Sequence, residues 1–285
     1  MRSGLILKLS SPDQPGIVAK IASYVATYNG NLIEFSQFSD QIGKKFFARL
    51  EIDTTELNVD VEIFKTNFAP LAHSLDAKWH FRNLPYKMRT AVLVTKTDHC
   101  LNEIIWRSEL SELPIEITSV VGNRENCRAV AERSDLPFHL IDMDGGKREA
   151  GFKKIRELLI AQKVELIVLA RFMQILPADF CNEFSGKIIN IHHSFLPAFI
   201  GANPYRQAYD RGVKLIGATC HYVTNDLDAG PIIEQEVERV YHFHSPADLS
   251  RLGRQCERIA LAKGIRYHVH DRTLIDGNRA IVFPD

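Results

Sequence analysis

From Arg89 onward, short runs of β-branched and apolar residues alternate with stretches spaced like the buried face of a helix. No other feature restricts the fold as much. The runs fall at 91–95, 115–121, 138–141, 166–170 and 187–191, and helical stretches lie between them at 99–110, 125–133 and 148–162. In the last of these Phe152, Ile155 and Leu159 share one face. A continuous apolar run buries both faces of a strand, and an intervening helix supplies the crossover. The alternation therefore predicts right-handed βαβ units around a mostly parallel, Rossmann-like sheet. Past 191 the pattern predicts a long loop, a short helix near 204–211, and paired strands at 215–224 and 231–240. Ser245-Pro246-Ala247-Asp248 then combines a capping hydroxyl, a first-turn proline and an acid three residues on. It opens a long helix to about 268, with Leu249, Leu252, Cys256 and Ile259 at core-facing spacing.

Residues 1–82 read differently. A strand at 4–10 leads through Ser11-Pro12-Asp13-Gln14-Pro15-Gly16 into a helix with Ile17, Ile21, Ala22 and Val25 on one side. Strands at 31–39 and 45–53 follow, then helical spacing of Val61, Phe64, Phe68 and Leu71, then a strand near 77–82. This β-α-β-β-α-β order is the ferredoxin-like split unit, an α+β domain. Residues 83–88, with Pro85, form the linker, so 89–285 make the second domain. A chain of 285 residues is long enough for two cores. Acidic and basic residues balance at 35 each, which excludes a surface built for a polyanion, and no nucleic-acid partner is expected. Lys8 and Asp13 interrupt the first apolar run, so the N-terminus reads as a strand rather than a signal peptide. No stretch reaches the roughly 20 apolar residues of a membrane span, and a soluble cytoplasmic protein is expected. The cysteines at 100, 127, 181, 220 and 256 show no close pairing and read as reduced structural thiols.

Chemistry concentrates at the end of the strand 187–191. Asn190-Ile191-His192-His193-Ser194-Phe195-Leu196-Pro197 is followed by Asn225-Asp226-Leu227-Asp228-Ala229-Gly230-Pro231. Parallel sheets place their sites at strand carboxyl ends. Asn190 and a protonated His192 are suitable donors to the oxyanion of an attacked carbonyl, and Asp228 would orient the imidazole, favour its charged form and accept a proton from water. Singly, Asn190 could satisfy loop backbone, His192 could be a bonded core histidine, and Asp228 could begin a turn. Together they point to catalysis. Adjacent residues of a strand face opposite ways, so catalysis goes to His192, and His193 either belongs to a water-handling shell or shapes the loop. His221 either lines the pocket or packs within a strand. His242 and His244 flank a helix cap without a carboxylate or cysteine partner, and no metal is expected.

These two motifs resemble the contexts Asn-Ile-His-x-Ser-x-Leu-Pro and Leu-Asp-x-Gly-Pro of the folate-dependent formyltransferase family, over residues 90 to about 280. The resemblance implies that Asn190, His192 and Asp228 are the catalytic residues and that the attacked group is an N-formyl carbonyl. It also implies that Phe172, Met173, Ile175 and Leu176, in the loop 171–176, and Val223-Thr224-Asn225-Asp226 hold the pterin of the folate. The plain alternative for those residues is a core beneath a loop. The pair His192-His193 and the preceding domain are most similar to the deformylase branch, which hydrolyses 10-formyltetrahydrofolate to tetrahydrofolate and formate with no further cofactor. Ribonucleotide transformylases carry a glycine-rich phosphate loop after their first strand; here Lys96-Thr97-Asp98-His99-Cys100 has no glycine, and Asp98 would repel phosphate. Water is thus the expected nucleophile. The tRNA-modifying branch would bring basic RNA contacts and an added C-terminal domain. Alternatives are a transferase with an amine acceptor of the ribonucleotide type and, in another class, a folate-responsive regulatory protein.

Asp13-Gln14-Pro15-Gly16-Ile17-Val18 with Asn29-Gly30-Asn31-Leu32 resembles the ACT regulatory domain, over about 80 residues. This implies a homo-oligomer through ACT pairing and a small effector held near Asp13, Gln14, Pro15, Gly16, Ile17, Asn29 and Asn31. Glycine and methionine, tied to one-carbon supply and demand, are the expected candidates. The plain alternative is that Pro15 and Gly16 only start a helix.

Overall fold

Leu5, Leu7 and Leu9 recur at every second residue, and in the computed structural model, which describes residues 4–196 and 204–284, all three are buried on one face of β1 (Gly4–Pro12). Met1 to Ser3, at the start of the expected first strand, and Pro197, at the end of the first motif, lie outside the described residues. Such period-two burial fixes register. β1 pairs antiparallel with β3 (Lys45–Asp53) and β4 (Lys78–Leu84), and β3 pairs with β2 (Asn31–Asp40), giving the order β2-β3-β1-β4. α1 (Ile17–Thr27), α2 (Val61–Asn67) and α3 (Ala69–Ser74) cover the leucine face with Ile17, Ile21, Val25, Phe64 and Phe68. The single second helix expected from spacing is two short ones. Pro70 lacks the N–H that would continue α2 and crowds the carbonyl four residues back.

On the other strand face, Arg49 is almost wholly buried and pairs with Glu34 at 2.9 Å. Glu34 also receives Arg272 at 2.9 Å, and Asp271 receives Lys8 at 2.8 Å together with Arg82. Accordingly, residues 271–274 and the segment from Ile281 group with the chain up to Tyr86, while Lys87–His270 and Ile275–Ala280 form a second unit.

In the second unit β5 (Met88–Val94) is central. Beside it run β6 (Ile115–Gly122) and β7 (Phe138–Leu140) on one side and β8 (Leu166–Leu169) and β9 (Ile188–His192) on the other, all parallel. β10 (Leu215–Tyr222) and β11 (Ile232–Arg239) continue antiparallel from β9. The connecting helices are α4 (His99–Glu109), α5 (Arg128–Arg133), α6 (Arg148–Ala161), α7 (Ala178–Glu183), α8 (Pro204–Asp210) and α9 (Pro246–Val269), and the short β12 (Thr273–Asp276) and β13 (Arg279–Val282) end the chain. Phe152, Ile155 and Leu159 of α6 bury themselves with Phe180 over Ala91, Leu93, Ile167 and Leu169. Each large apolar side chain so buried stabilises by about 1.5–3 kcal/mol. The capping box anticipated at Ser245 and Asp248 is present. Among the described residues no helix is long and apolar enough to cross a membrane. Because the strand order reverses between β5 and β8, a crevice opens at their carboxyl ends.

Candidate active site

Asn190 and His192 are two apart on β9 and so share a face. β10 places His221 opposite Asn190 and Thr219 opposite His192, and cross-strand partners are neighbours on one face. Nδ1 of His221 donates to the Tyr222 carbonyl at 2.9 Å. Its Nε2 lies 3.2 Å from the Asn190 amide nitrogen. His221 is therefore a neighbour of Asn190, buried within β10 and among the residues that line the pocket.

The loop after β10 brings Asp228 back over this face. Asp228 has φ 53, a left-handed conformation that costs a non-glycine residue about 1–3 kcal/mol and persists only where its surroundings enforce it. Two residues on, a Cβ at Gly230 would stand 1.8 Å from the Tyr222 oxygen, so the return path excludes any side chain there. Asp228 Oδ2 lies 3.1 Å from Nδ1 of His192, and Oδ1 lies 3.6 Å from Nε2 of His221. Burial opposes its ionisation, but the hydrogen bonds and charge of the two imidazoles prevail and hold the carboxyl well below the usual range. Nε2 of His192 is buried and has no hydrogen-bond partner among the described residues. A ring fixed at one nitrogen and open at the other is poised to meet a ligand.

His192 lines a cleft of about 260 Å³, together with Asn190, Asp228, His193, His221 and every residue of the two expected pterin loops named above. Within the first loop the two readings divide by residue. Phe172 and Leu176 join the core, whereas Met173 and Ile175 are 57% and 58% exposed and available to cover a ligand. The Met173 N–H donates to Thr95 at 3.0 Å, anchoring the loop to the strand below. In the second loop Asn225 donates to Asn182 of α7 at 2.8 Å, Thr224 donates to the Asp226 carbonyl at 3.3 Å, and Val223 packs on the core.

Residues 88–265 match the formyl transferase family model. Over 97% of its length and 93% of the relative's, the chain is 45% identical to a formyltetrahydrofolate deformylase of Bacillus subtilis (strain 168). The chain belongs to the formyltetrahydrofolate deformylase family. The crystal structure of a deformylase from Pseudomonas syringae pv. tomato agrees with a TM-score of 0.96 at 41% identity, covering 100% of this chain and 95% of that one. A glycinamide ribonucleotide transformylase 1 from Symbiobacterium toebii matches 71% of this chain and 97% of its own, with a TM-score of 0.67 and 29% identity. The shared fold thus carries both deformylases and transferases.

In this deformylase-family chain β9 ends at His192 and the backbone bends at His193. His193 therefore also lines the cleft, its ring centroid 5.2 Å from that of His192, where uninterrupted strand alternation would have turned it away. Burial, followed by the charge of Arg171, pulls its pKa down to about 4.

Arg171 is a residue that pattern reasoning passes over. It has φ 63, where glycine is favoured, yet carries a largely buried guanidinium 3.5 Å from Glu257. Glu257, on the apolar stripe of α9, also receives His99 at 2.8 Å and the Tyr205 hydroxyl at 2.7 Å. Gly253 makes room for this, since a Cβ there would lie 2.1 Å from the Tyr205 ring. The available signal was an acid among Leu249, Cys256 and Ala260. His99, Cys100 and Glu257 bring donor atoms within 4.8 Å of one another, but both Glu257 oxygens are taken and a guanidinium stands beside them, an ion-pair cluster ill suited to a cation. His244 accepts from the Tyr241 N–H at 3.0 Å, a local turn contact.

The expected effector residues fall in two places. Asp13, Gln14, Pro15 and Gly16 form an exposed loop, with Asp13 accepting from Ser39 at 3.4 Å, while Ile17 is buried in the core. Asn29, which donates to the Glu56 carbonyl at 2.7 Å, and Asn31 lie beyond the far end of the 11-residue α1. That helix spans about 16 Å, so one chain does not bring the two groups to a common ligand.

Proposed function

We propose that this chain hydrolyses 10-formyltetrahydrofolate to tetrahydrofolate and formate at the cleft above β9. The observation that carries the reading is the unpartnered, buried Nε2 of His192, on the same strand face as Asn190 and with Nδ1 held 3.1 Å from Asp228. Attack on the formyl carbon creates an oxyanion that Asn190 and protonated His192 stabilise, and His192 then gives its proton to the departing folate nitrogen. Asp228 orients His192 and supplies counter-charge. A second duty, taking the proton of water, competes with its 3.1 Å contact to His192. Met173, Ile175 and the loop 223–226 would cover the pterin. Water as nucleophile fits the place after β5, where Asp98 precedes α4 and His99 is tied to Glu257, leaving no cradle for an acceptor's phosphate. The five buried thiols suit a cytoplasmic enzyme. The test is incubation with 10-formyltetrahydrofolate and no amine acceptor. Stoichiometric tetrahydrofolate and formate are expected from wild type, with Asp228→Asn slower by roughly 10²–10⁴; turnover only after an acceptor is added would make the chain a transferase.

We further infer that residues 1–82 are an ACT-like regulatory domain joined by 83–88 to the catalytic domain, on the strength of the β2-β3-β1-β4 order and the motif before α1. With the two effector segments at opposite ends of α1, an amino acid would be held between paired protomers, which makes binding and homo-oligomer formation one event. Isothermal titration of the intact protein with glycine and with methionine is expected to give heat for one of them. No heat for either would leave the domain as an assembly element.

A further inference from the structure

Hydrolysis at this site lacks a proton acceptor. Asn190 is a donor to the oxyanion, His192 must carry a proton to the leaving nitrogen, and Asp228 holds the His192 ring at 3.1 Å with one oxygen while the other lies 3.6 Å from His221. His221 has its Nδ1 on a backbone carbonyl and its Nε2 on Asn190. One basic side chain of the cleft has neither duty. His193 stands past the end of β9, its ring half-buried, 5.2 Å from the His192 ring and 6.3 Å from that of Tyr205.

Resting on the hydrolytic reading above, we propose that His193 is the catalytic base, its imidazole accepting one proton of the attacking water while His192 protonates the folate nitrogen. The steps balance. The water oxygen bonds to the formyl carbon as one of its protons passes to His193. The oxyanion collapses, the carbon–nitrogen bond breaks, and the nitrogen takes the proton of His192. Formic acid loses its remaining proton to solvent, and the proton on His193 returns to His192 or to water. The net change is amide and water to amine, formate and a proton.

The surroundings divide the two neighbouring rings into an acid and a base. A carboxylate 3.1 Å from His192 compensates positive charge there. Against His193 stand the Arg171 guanidinium from the loop after β8, His192 on its own strand, and more distantly the carboxylates of Glu257 on α9 and Asp228 on the return loop, with neutral Tyr205 from α8. Burial and Arg171 outweigh the two acids, so the ring is neutral and able to accept at physiological pH. Environments that push paired groups apart mark acid and base assignments. The same account explains why a position with φ 63 holds an arginine: its charge is used, and Glu257 with His99 and Tyr205 keeps it in place.

The experiment measures hydrolysis of 10-formyltetrahydrofolate, without acceptor, by wild type, His193→Gln, His193→Ala and Arg171→Gly, each checked for fold by circular dichroism. His193→Gln is expected to lower kcat roughly 10²–10⁴-fold with KM little changed, and added imidazole should restore part of the His193→Ala rate. Arg171→Gly keeps His193, suits φ 63 and removes the cation while burial remains, so its acidic limb should lie at higher pH than that of wild type. A His193→Gln rate within roughly threefold of wild type, a loss confined to KM, or an Arg171→Gly profile without that shift overturns the assignment. Failure of the hydrolytic reading is distinct, because wild type would then release no tetrahydrofolate at all.

Discussion

Replacing His192 by alanine is expected to reduce kcat for formyl cleavage by roughly 10²–10⁴. At 1.36 kcal/mol per decade that is about 3–5 kcal/mol of lost transition-state stabilisation. The size follows from the number of duties on one ring. In the proposed mechanism Nε2 is the donor to the oxyanion and then the proton source for the folate nitrogen, while Nδ1 lies 3.1 Å from Asp228. With the ring gone, Asp228 loses its 3.1 Å contact and its left-handed backbone loses a constraint. Since the pterin would rest on Met173, Ile175 and the loop 223–226 rather than on the His192 ring itself, KM should change far less than kcat. Steady-state kinetics separate the two; a loss dominated by KM would assign His192 to substrate binding.

What could be read beforehand follows from what is local. The βα alternation, the strand 187–191 and the capping box at Ser245 each occupy one contiguous stretch, and their elements formed within a few residues of the expected ends. Asn190, His192 and Asp228 were recognisable because two short motifs contain them, and the loop that returns after β10 brings Asp228 to His192. The rest depended on tertiary placement. Glu257 looked like any acid of a long helix until α9 lay against the loop carrying Arg171 and against α4 carrying His99. α7, β12 and β13 have six, four and four residues, too few for a period to show. The return of 271–274 to the first unit rests on Asp271 and Arg272, whose partners Lys8, Arg82 and Glu34 are distant in the chain. For His193, alternation left two readings open, and the bend just past the end of β9 that puts it in the cleft lining is not a local pattern.

Glu257→Leu should produce the largest loss of stability among the buried polar positions of the site, about 3–5 kcal/mol, because it leaves the Arg171 guanidinium buried without its carboxylate. The Glu257 side chain is 1% exposed, and burial alone would favour its protonated form. Bonds from His99 and Tyr205 and the charge of Arg171 prevail, so its pKa in the fold is lowered. A lowered carboxyl pKa stabilises the fold above the unfolded value, near 4.5, and that contribution disappears as pH falls through the folded value. Urea denaturation should therefore show a wide gap between wild type and Glu257→Leu at neutral pH and a narrower one in acid. Adding Arg171→Gly to Glu257→Leu removes the stranded cation and places glycine at φ 63, so the double variant should be more stable than Glu257→Leu alone. Additive losses in the pair would mean that the two side chains do not depend on each other, and would detach Arg171 from the buried carboxylate held to keep it beside His193.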